Sequence, residues 1–175
     1  MLGEEENKNS NRNLEAKALN SILKKKNLSL HSITSDGDCL FNAIKHQLKL
    51  NGITFEVHEL RKLAADYIRA NSNELSCYMT SSKTNDQMTS EEFDEYVYQL
   101  EKTKAWGSQI EIVALSNTLK VKIEVLQSTG TPIIQGEHEF KNKPHLIITY
   151  HRFFYGLGEH YNSSKPFEES DTEDQ

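Results

Sequence analysis

Apolar residues recur at helical spacing in the first two thirds of the chain and at every second position afterwards. Leu14, Ala18, Leu19, Ile22 and Leu23 share one side of a predicted helix that Asn13 caps and Asn27 ends. Residues 1–12 are polar and charged, show no apolar period, and are expected to be disordered. Leu28, Leu30 and Ser32 alternate over a short extended stretch, and Ser35-Asp36-Gly37-Asp38 is a turn signal. A helix from Cys39 to about Leu50 follows, closed by Asn51-Gly52, and another is predicted over about 56–70. Leu75 and Met79 suggest a short further helix, and residues 80–88 read as a polar loop. Thr89 with Glu92, and Ser108 with Glu111, are capping boxes. The first opens a helix with Phe93, Tyr96, Val97 and Leu100 on one face, the second a helix carrying Ile110, Val113 and Ala114.

The period then falls to two. Val121, Ile123 and Val125 alternate with Lys122 and Glu124, the pattern of a half-buried strand. Ile133-Ile134 and His138 to Phe140 are short strand candidates, and Leu146 to Tyr150 reads as a strand buried on both faces. After a turn at Gly156 and Gly158, His160-Tyr161-Asn162 forms the last strand. Helices first and strands later predict an α+β domain of α/β type, with a small, mostly antiparallel sheet flanked by helices. The domain is expected over 13–167, with an acidic disordered tail at 168–175.

Composition removes several function classes. A net charge of −6 argues against general nucleic-acid binding, and the run Lys24-Lys25-Lys26 reads as a solvated helix end. The longest apolar runs fall short of the ~20 residues of a membrane span. Cys39 and Cys77 make no disulfide framework, so a soluble protein of a reducing compartment is expected, cytoplasmic and with the nucleus also open to it. Cys39 and Cys77 lack metal-ligand spacing and no pair of histidines shows it, so neither a metal nor a cofactor is expected. Cys77 reads as a buried helix residue.

Cys39 stands at the first turn of a helix, where unpaired amides and the helix dipole favour a thiolate and can also hold an oxyanion. Gly37 is expected to let the preceding loop take angles that other residues resist. A cysteine nucleophile needs a base, and seven histidines are available. His160 stands out because Asn162 lies two residues on, and on a strand the two side chains share a face. Asn162 can then orient one ring nitrogen while the other meets the thiol. Trp106 and Glu111 read as packing and capping residues.

These residues resemble the motifs of a known family. Asp36-Gly37-Asp38-Cys39-Leu40-Phe41 is similar to the Cys loop of the OTU (ovarian tumour) deubiquitinases. Trp106-Gly107-Ser108-Gln109-Ile110-Glu111 resembles their Trp-Gly-x-x-x-Glu segment, and Gly158-Glu159-His160-Tyr161-Asn162 their His motif. The details are most similar to the subfamily of the second yeast OTU protein and its animal relatives. The resemblance implies a papain-like arrangement and a thiol isopeptidase acting on ubiquitin and ubiquitinated proteins through an acyl-enzyme thioester. It makes Cys39 the nucleophile, His160 the base and Asn162 its orienter. Asp36 matches an aspartate often counted as catalytic, and suits equally a role in shaping the oxyanion loop of Gly37 and Asp38. Ubiquitin would meet 138–143 and 80–88, the domain would be monomeric, and the subfamily resemblance implies a link to ribosomes or translation. The competing readings are a ubiquitin-binding module without activity and a thiol hydrolase of another class.

Overall fold

A computed structural model describes residues 2–155 and 158–168. The first helix, α1 (Leu2–Lys25), begins well before Asn13, so helix continues through residues expected to be disordered. Those residues carry no apolar stripe to announce it. Further along, the buried side is the expected one. Leu19 and Leu23 are fully buried with Ile22 against them, although Leu14 is exposed. Asn27 leaves the helix in the left-handed region at φ 55°, and β1 (Leu28–His31) follows.

α2 (Cys39–Leu50) and α3 (Val57–Ala70) occupy the ranges that their apolar spacing predicts. α4 (Ser72–Leu75) runs into a 3-10 turn at Ser76–Tyr78. Cys77 sits in that turn and is exposed, not buried; its thiol donates to the Glu74 carbonyl at 2.8 Å. Two turns this short have no continuous apolar face with which to bury it. α5 (Ser90–Lys102) and α6 (Gln109–Leu119) each open on the predicted capping box, both halves of which form.

Four more strands complete a five-stranded sheet in the order β1-β5-β4-β2-β3. They are β2 (Lys122–Leu126), β3 (Ile133–Gln135), β4 (His145–Tyr155) and β5 (Gly158–Pro166). β2 and β4 run parallel and every other pair is antiparallel, which makes the domain α+β with a mostly antiparallel sheet. His138 to Phe140 is not a strand. Gly136 turns the chain at φ 75°, and the Phe140 amide closes back on the Gly136 carbonyl at 3.0 Å. The Phe140 ring lies where a Cβ on residue 136 would stand, at 2.6 Å, so the segment folds onto its own glycine.

Alternation along the strands divides the apolar residues between two cores. Ile123, Val125, Leu146, Ile148 and Tyr161 join residues of α2, α3, α5 and α6 in the main core. Leu126 and Ile147 turn the other way and meet Leu19 and Leu23 of α1. Glu124, on the α1 side, is buried and pairs with Lys26 at 3.0 Å and with His145 at 2.9 Å.

Two polar attachments position the site. Buried Gln47 of α2 donates to Ser163 Oγ at 2.9 Å and to the Ser164 carbonyl at 2.7 Å, and accepts from the Ile147 amide at 3.0 Å. That fixes how far α2 slides along β5, and so where its first residue falls. On α1, the buried Glu15 carboxylate accepts from the Arg152 amide at 2.7 Å and the Phe153 amide at 2.9 Å. These two amides sit in a bulge of β4 between His151 and Tyr155, where the ladder to β5 slips and leaves donors unused.

Candidate active site

Cys39 is the first residue of α2 and is buried. The backbone amides of Tyr161 and Leu40 act on its thiol, which places it beside the strand that carries His160 and Asn162. Burial is the largest influence on the thiol and raises its pKa above the ordinary value of 9.0; the Asp36 charge adds to this and the backbone hydrogen bonds oppose it. The expectation that the helix start favours the thiolate is therefore outweighed by desolvation.

His160 and Asn162 lie on one face of β5, and both are buried. His160 Nε2 is 2.8 Å from Asn162 Oδ1. The assignment of oxygen and nitrogen on that amide follows from a neighbour: the Ile33 amide, which can only donate, stands 2.7 Å from the same Oδ1. Asn162 Oδ1 is thus an acceptor on both sides, His160 Nε2 carries the proton, and the lone pair of the neutral ring is on Nδ1. The His160 pKa is lowered, first by burial; the Asn162 and Ile33 hydrogen bonds and the Asp36 charge oppose the shift. With the thiol raised and the imidazole lowered, each group is favoured in its neutral form.

Asp36 acts on Cys39 and His160 through its charge, while its hydrogen bonds run within the loop and to Lys104 Nζ, which reaches Oδ2 at 3.2 Å. Its Oδ1 accepts from the Asp38 amide at 2.9 Å, and its own carbonyl accepts from the Cys39 amide at 3.2 Å. Gly37 is not among the residues with positive φ. The reason for a glycine there is close approach: a Cβ would lie 1.5 Å from the Lys104 carbonyl oxygen. Gly107 is similarly confined, with a Cβ position 2.6 Å from Leu40 Cδ2.

Sequence reading overlooked Arg61, which ties these segments together. It sits on the apolar face of α3 with Ala64, Ala65 and Ile68 and is 3% exposed, too little for a solvated charge. Its Nε and Nη2 reach Asp38 Oδ1 at 2.9 and 2.7 Å, and Nη2 also donates to the carbonyls of Gly37 and Ala105, both at 2.9 Å. Nη1 donates to the Leu100 carbonyl at 2.9 Å, and the guanidinium lies over the Phe41 ring at 4.3 Å. A charge at a core position of an amphipathic helix was the available signal.

Trp106 does not pack into the core; it is 49% exposed. With Gly107, Gly158, Glu159 and Tyr161 it lines an open groove of about 380 Å³ that reaches the Cys39–His160 site at Tyr161. Glu111 is fully buried; it accepts from the Ser108 amide at 2.6 Å and from the Tyr96 hydroxyl, so it is a capping residue as expected.

The family model of the OTU-like cysteine proteases matches residues 34–161. The deubiquitinase OTUD6B of Xenopus laevis is 43% identical over 159 residues, covering 91% of this chain and 53% of that protein. OTU domain-containing protein 2 of Saccharomyces cerevisiae is 35% identical over 156 residues, covering 86% of this chain and 49% of that one. The chain thus spans about half the length of the curated relatives it matches. Among solved structures, the OTU domain of OTUD1 superimposes with a TM-score of 0.66 at 19% identity, over 89% of this chain and 97% of the other. An ovarian tumour domain in complex with ubiquitin does so with a TM-score of 0.61 at 23% identity, over 79% and 69% of the two chains. The Cys loop, the Trp-Gly segment and the His strand thus sit together in an OTU fold, and the chain belongs to the OTU-like cysteine proteases.

Proposed function

We propose that this chain is a deubiquitinase that hydrolyses the isopeptide bond between the ubiquitin C-terminus and a lysine. The observation that carries the reading is the buried His160–Asn162 bond, locked in one orientation by the Ile33 amide, on the strand against which the Cys39 thiol lies. His160 Nδ1 takes the thiol proton as the sulfur attacks the carbonyl carbon. The tetrahedral oxyanion forms beside the loop of Gly37 and Asp38, which Asp36 shapes from within by accepting the Asp38 amide on its carboxylate and the Cys39 amide on its carbonyl. Collapse breaks the C–N bond, the imidazolium protonates the departing lysine amine, and a thioester remains. Water then attacks with His160 as base, releasing the ubiquitin carboxylate and the thiol. Asn162 is the third member, since it touches the imidazole, and Asp36 serves the loop. The groove beside Trp106 has glycine at Gly107 and Gly158, which suits a narrow tail ending in glycines.

The OTUD6B relative carries deubiquitinase in its name, and a fold neighbour has ubiquitin bound. The catalytic unit is taken as 13–167, monomeric and cytoplasmic, with the acidic tail lying beyond the described residues after Glu168. By subfamily likeness its substrates lie near ribosomes and translation. A ubiquitin C-terminal electrophile should form an adduct on Cys39 that Cys39→Ser abolishes, and His160→Ala should cost more rate than Asn162→Ala. No adduct with the folded, reduced chain refutes the reading.

A further inference from the structure

Beyond the Cys39, His160 and Asn162 set lies a second buried histidine. The β4–β5 register pairs Thr149 with Asn162 and His151 with His160. Directly paired residues of antiparallel strands present their side chains to the same face, so the four form a two-by-two polar block. All four are buried, with relative exposures of 0% for Thr149, His160 and Asn162 and 2% for His151. The contacts run in a chain: His160 Nε2 to Asn162 Oδ1 at 2.8 Å, Asn162 Nδ2 to His151 Nε2 at 3.2 Å, and His151 Nε2 to Thr149 Oγ1 at 2.8 Å.

We propose that His151 is a positioning residue for this reaction, holding Asn162 by its amide nitrogen so that the oxygen faces His160. The direction of each bond follows from groups that have no choice. The Ile33 amide makes Asn162 Oδ1 an acceptor, so Nδ2 is the end facing His151. An NH2 group donates only; His151 Nε2 is therefore the acceptor, its ring proton is on Nδ1, and the Thr149 hydroxyl also donates to Nε2. Burial and the neighbouring His160 lower the His151 pKa to about 4, so this acceptor persists at neutral pH. An asparagine can work backwards where an aspartate cannot: rotated by half a turn, it offers His160 an NH2 group that clashes with Nε2–H and favours the wrong tautomer. His151 and the Ile33 amide close that route from its two ends. The Glu15 clamp on the next two amides holds the strand where His151 leaves it.

The inference rests on the reading of the chain as a thiol isopeptidase, and two measurements on the full chain separate them. The first needs no activity: nitrogen-15 spectra of the histidines at neutral pH should show His151 as the Nδ1–H tautomer, and an Nε2–H tautomer overturns the proposal. The second uses a fluorogenic ubiquitin C-terminal amide. His151→Leu should lower kcat about tenfold with KM unchanged, as expected for a displaced catalytic group, and His151→Gln, which keeps an acceptor, should restore most of it. In the Asn162→Asp background a carboxylate offers oxygen to His160 either way round, so adding His151→Leu should change kcat by less than about threefold. Equal losses in both backgrounds, or no loss in the parent, overturn the proposal. A parent chain with no turnover of any ubiquitin substrate refutes the enzyme reading instead, and leaves the tautomer to decide the geometry.

Discussion

Replacing Arg61 with alanine should open the catalytic loop from behind. The side chains of Arg61 and Asp38 are 4% and 14% exposed, so their 2.7 Å ion pair is a buried one. Removing one partner of such a pair typically costs about 3–5 kcal/mol because the other charge stays behind; Asp38 keeps Lys104 Nζ at 3.3 Å, which holds the loss to the lower half of that range. The carbonyls of Gly37, Leu100 and Ala105 lose a donor at the same time. Each unsatisfied group is worth roughly 1–3 kcal/mol, but water admitted to the vacated polar space recovers much of this. The expected loss is therefore on the order of 4 kcal/mol, a large part of the ~5–15 kcal/mol that holds a domain together. Arg61→Lys keeps the charge and loses the planar fork, and should fall between the parent and alanine. Urea unfolding gives the stability. The catalytic consequence is read below the transition, where the variant is folded: kcat/KM for a ubiquitin substrate should fall about a hundredfold, because Gly37 and Ala105 are the backbone of the two motifs that flank Cys39. Alkylation of Cys39 by iodoacetamide, which needs no oxyanion site, should change far less. An Arg61→Ala variant that loses less than about 1 kcal/mol, or that keeps parental kcat/KM, refutes the clamp.

Protonated His160 cannot accept the thiol proton, and its folded-state pKa is lowered, so the acidic limb of kcat/KM should lie below the ordinary imidazole value of 6.5; a limb above it contradicts the assignment. His151 also binds its proton less well when folded, at about 4 against 6.5. Between those values the unfolded chain holds more protons, so stability rises with pH across the window, by roughly 3 kcal/mol at most. His151→Leu should flatten that rise in urea melts at pH 4.5 and 7, and an unchanged slope counts against it. Gly37→Ala should cut adduct formation on Cys39 far more than Gly52→Ala, since the first drives a Cβ to 1.5 Å from a backbone oxygen and the second meets nothing within 4 Å. Equal adduct yields would show that the Lys104 segment yields freely.

Where a residue's part depends on its own stretch of chain, the sequence was legible. The capping boxes at Thr89 and Ser108, the start of α2 at Cys39 and the shared face of His160 and Asn162 are local facts of spacing. The helix through residues 2–12 has no apolar stripe, and nothing nearby revealed it. Contacts set by register were hidden. Ile33 reaches Asn162 because of how the chain leaves β1, and His151 reaches it because β4 and β5 pair as they do. Arg61 was visible as a misfit on an apolar face, but its partners come from three separate segments. Cys39 carried the opposite lesson: its helix start predicted an acidic thiol, and the burial that raises it belongs to the packed fold.

Glu15 bears on where the catalytic unit can be cut. The span that matches the family runs from residue 34 to 161 and excludes α1, β1, Ile33 and Asn162. A fragment trimmed to those limits would lose β1 together with the 163–166 end of β5 that it pairs with, lose the oxygen that meets His160, and leave the Arg152 and Phe153 amides with no carboxylate to receive them. The shared family core is thus no detachable cassette in this chain. Its two ends are sewn to residues upstream of the Cys loop, and a working fragment has to begin ahead of Glu15.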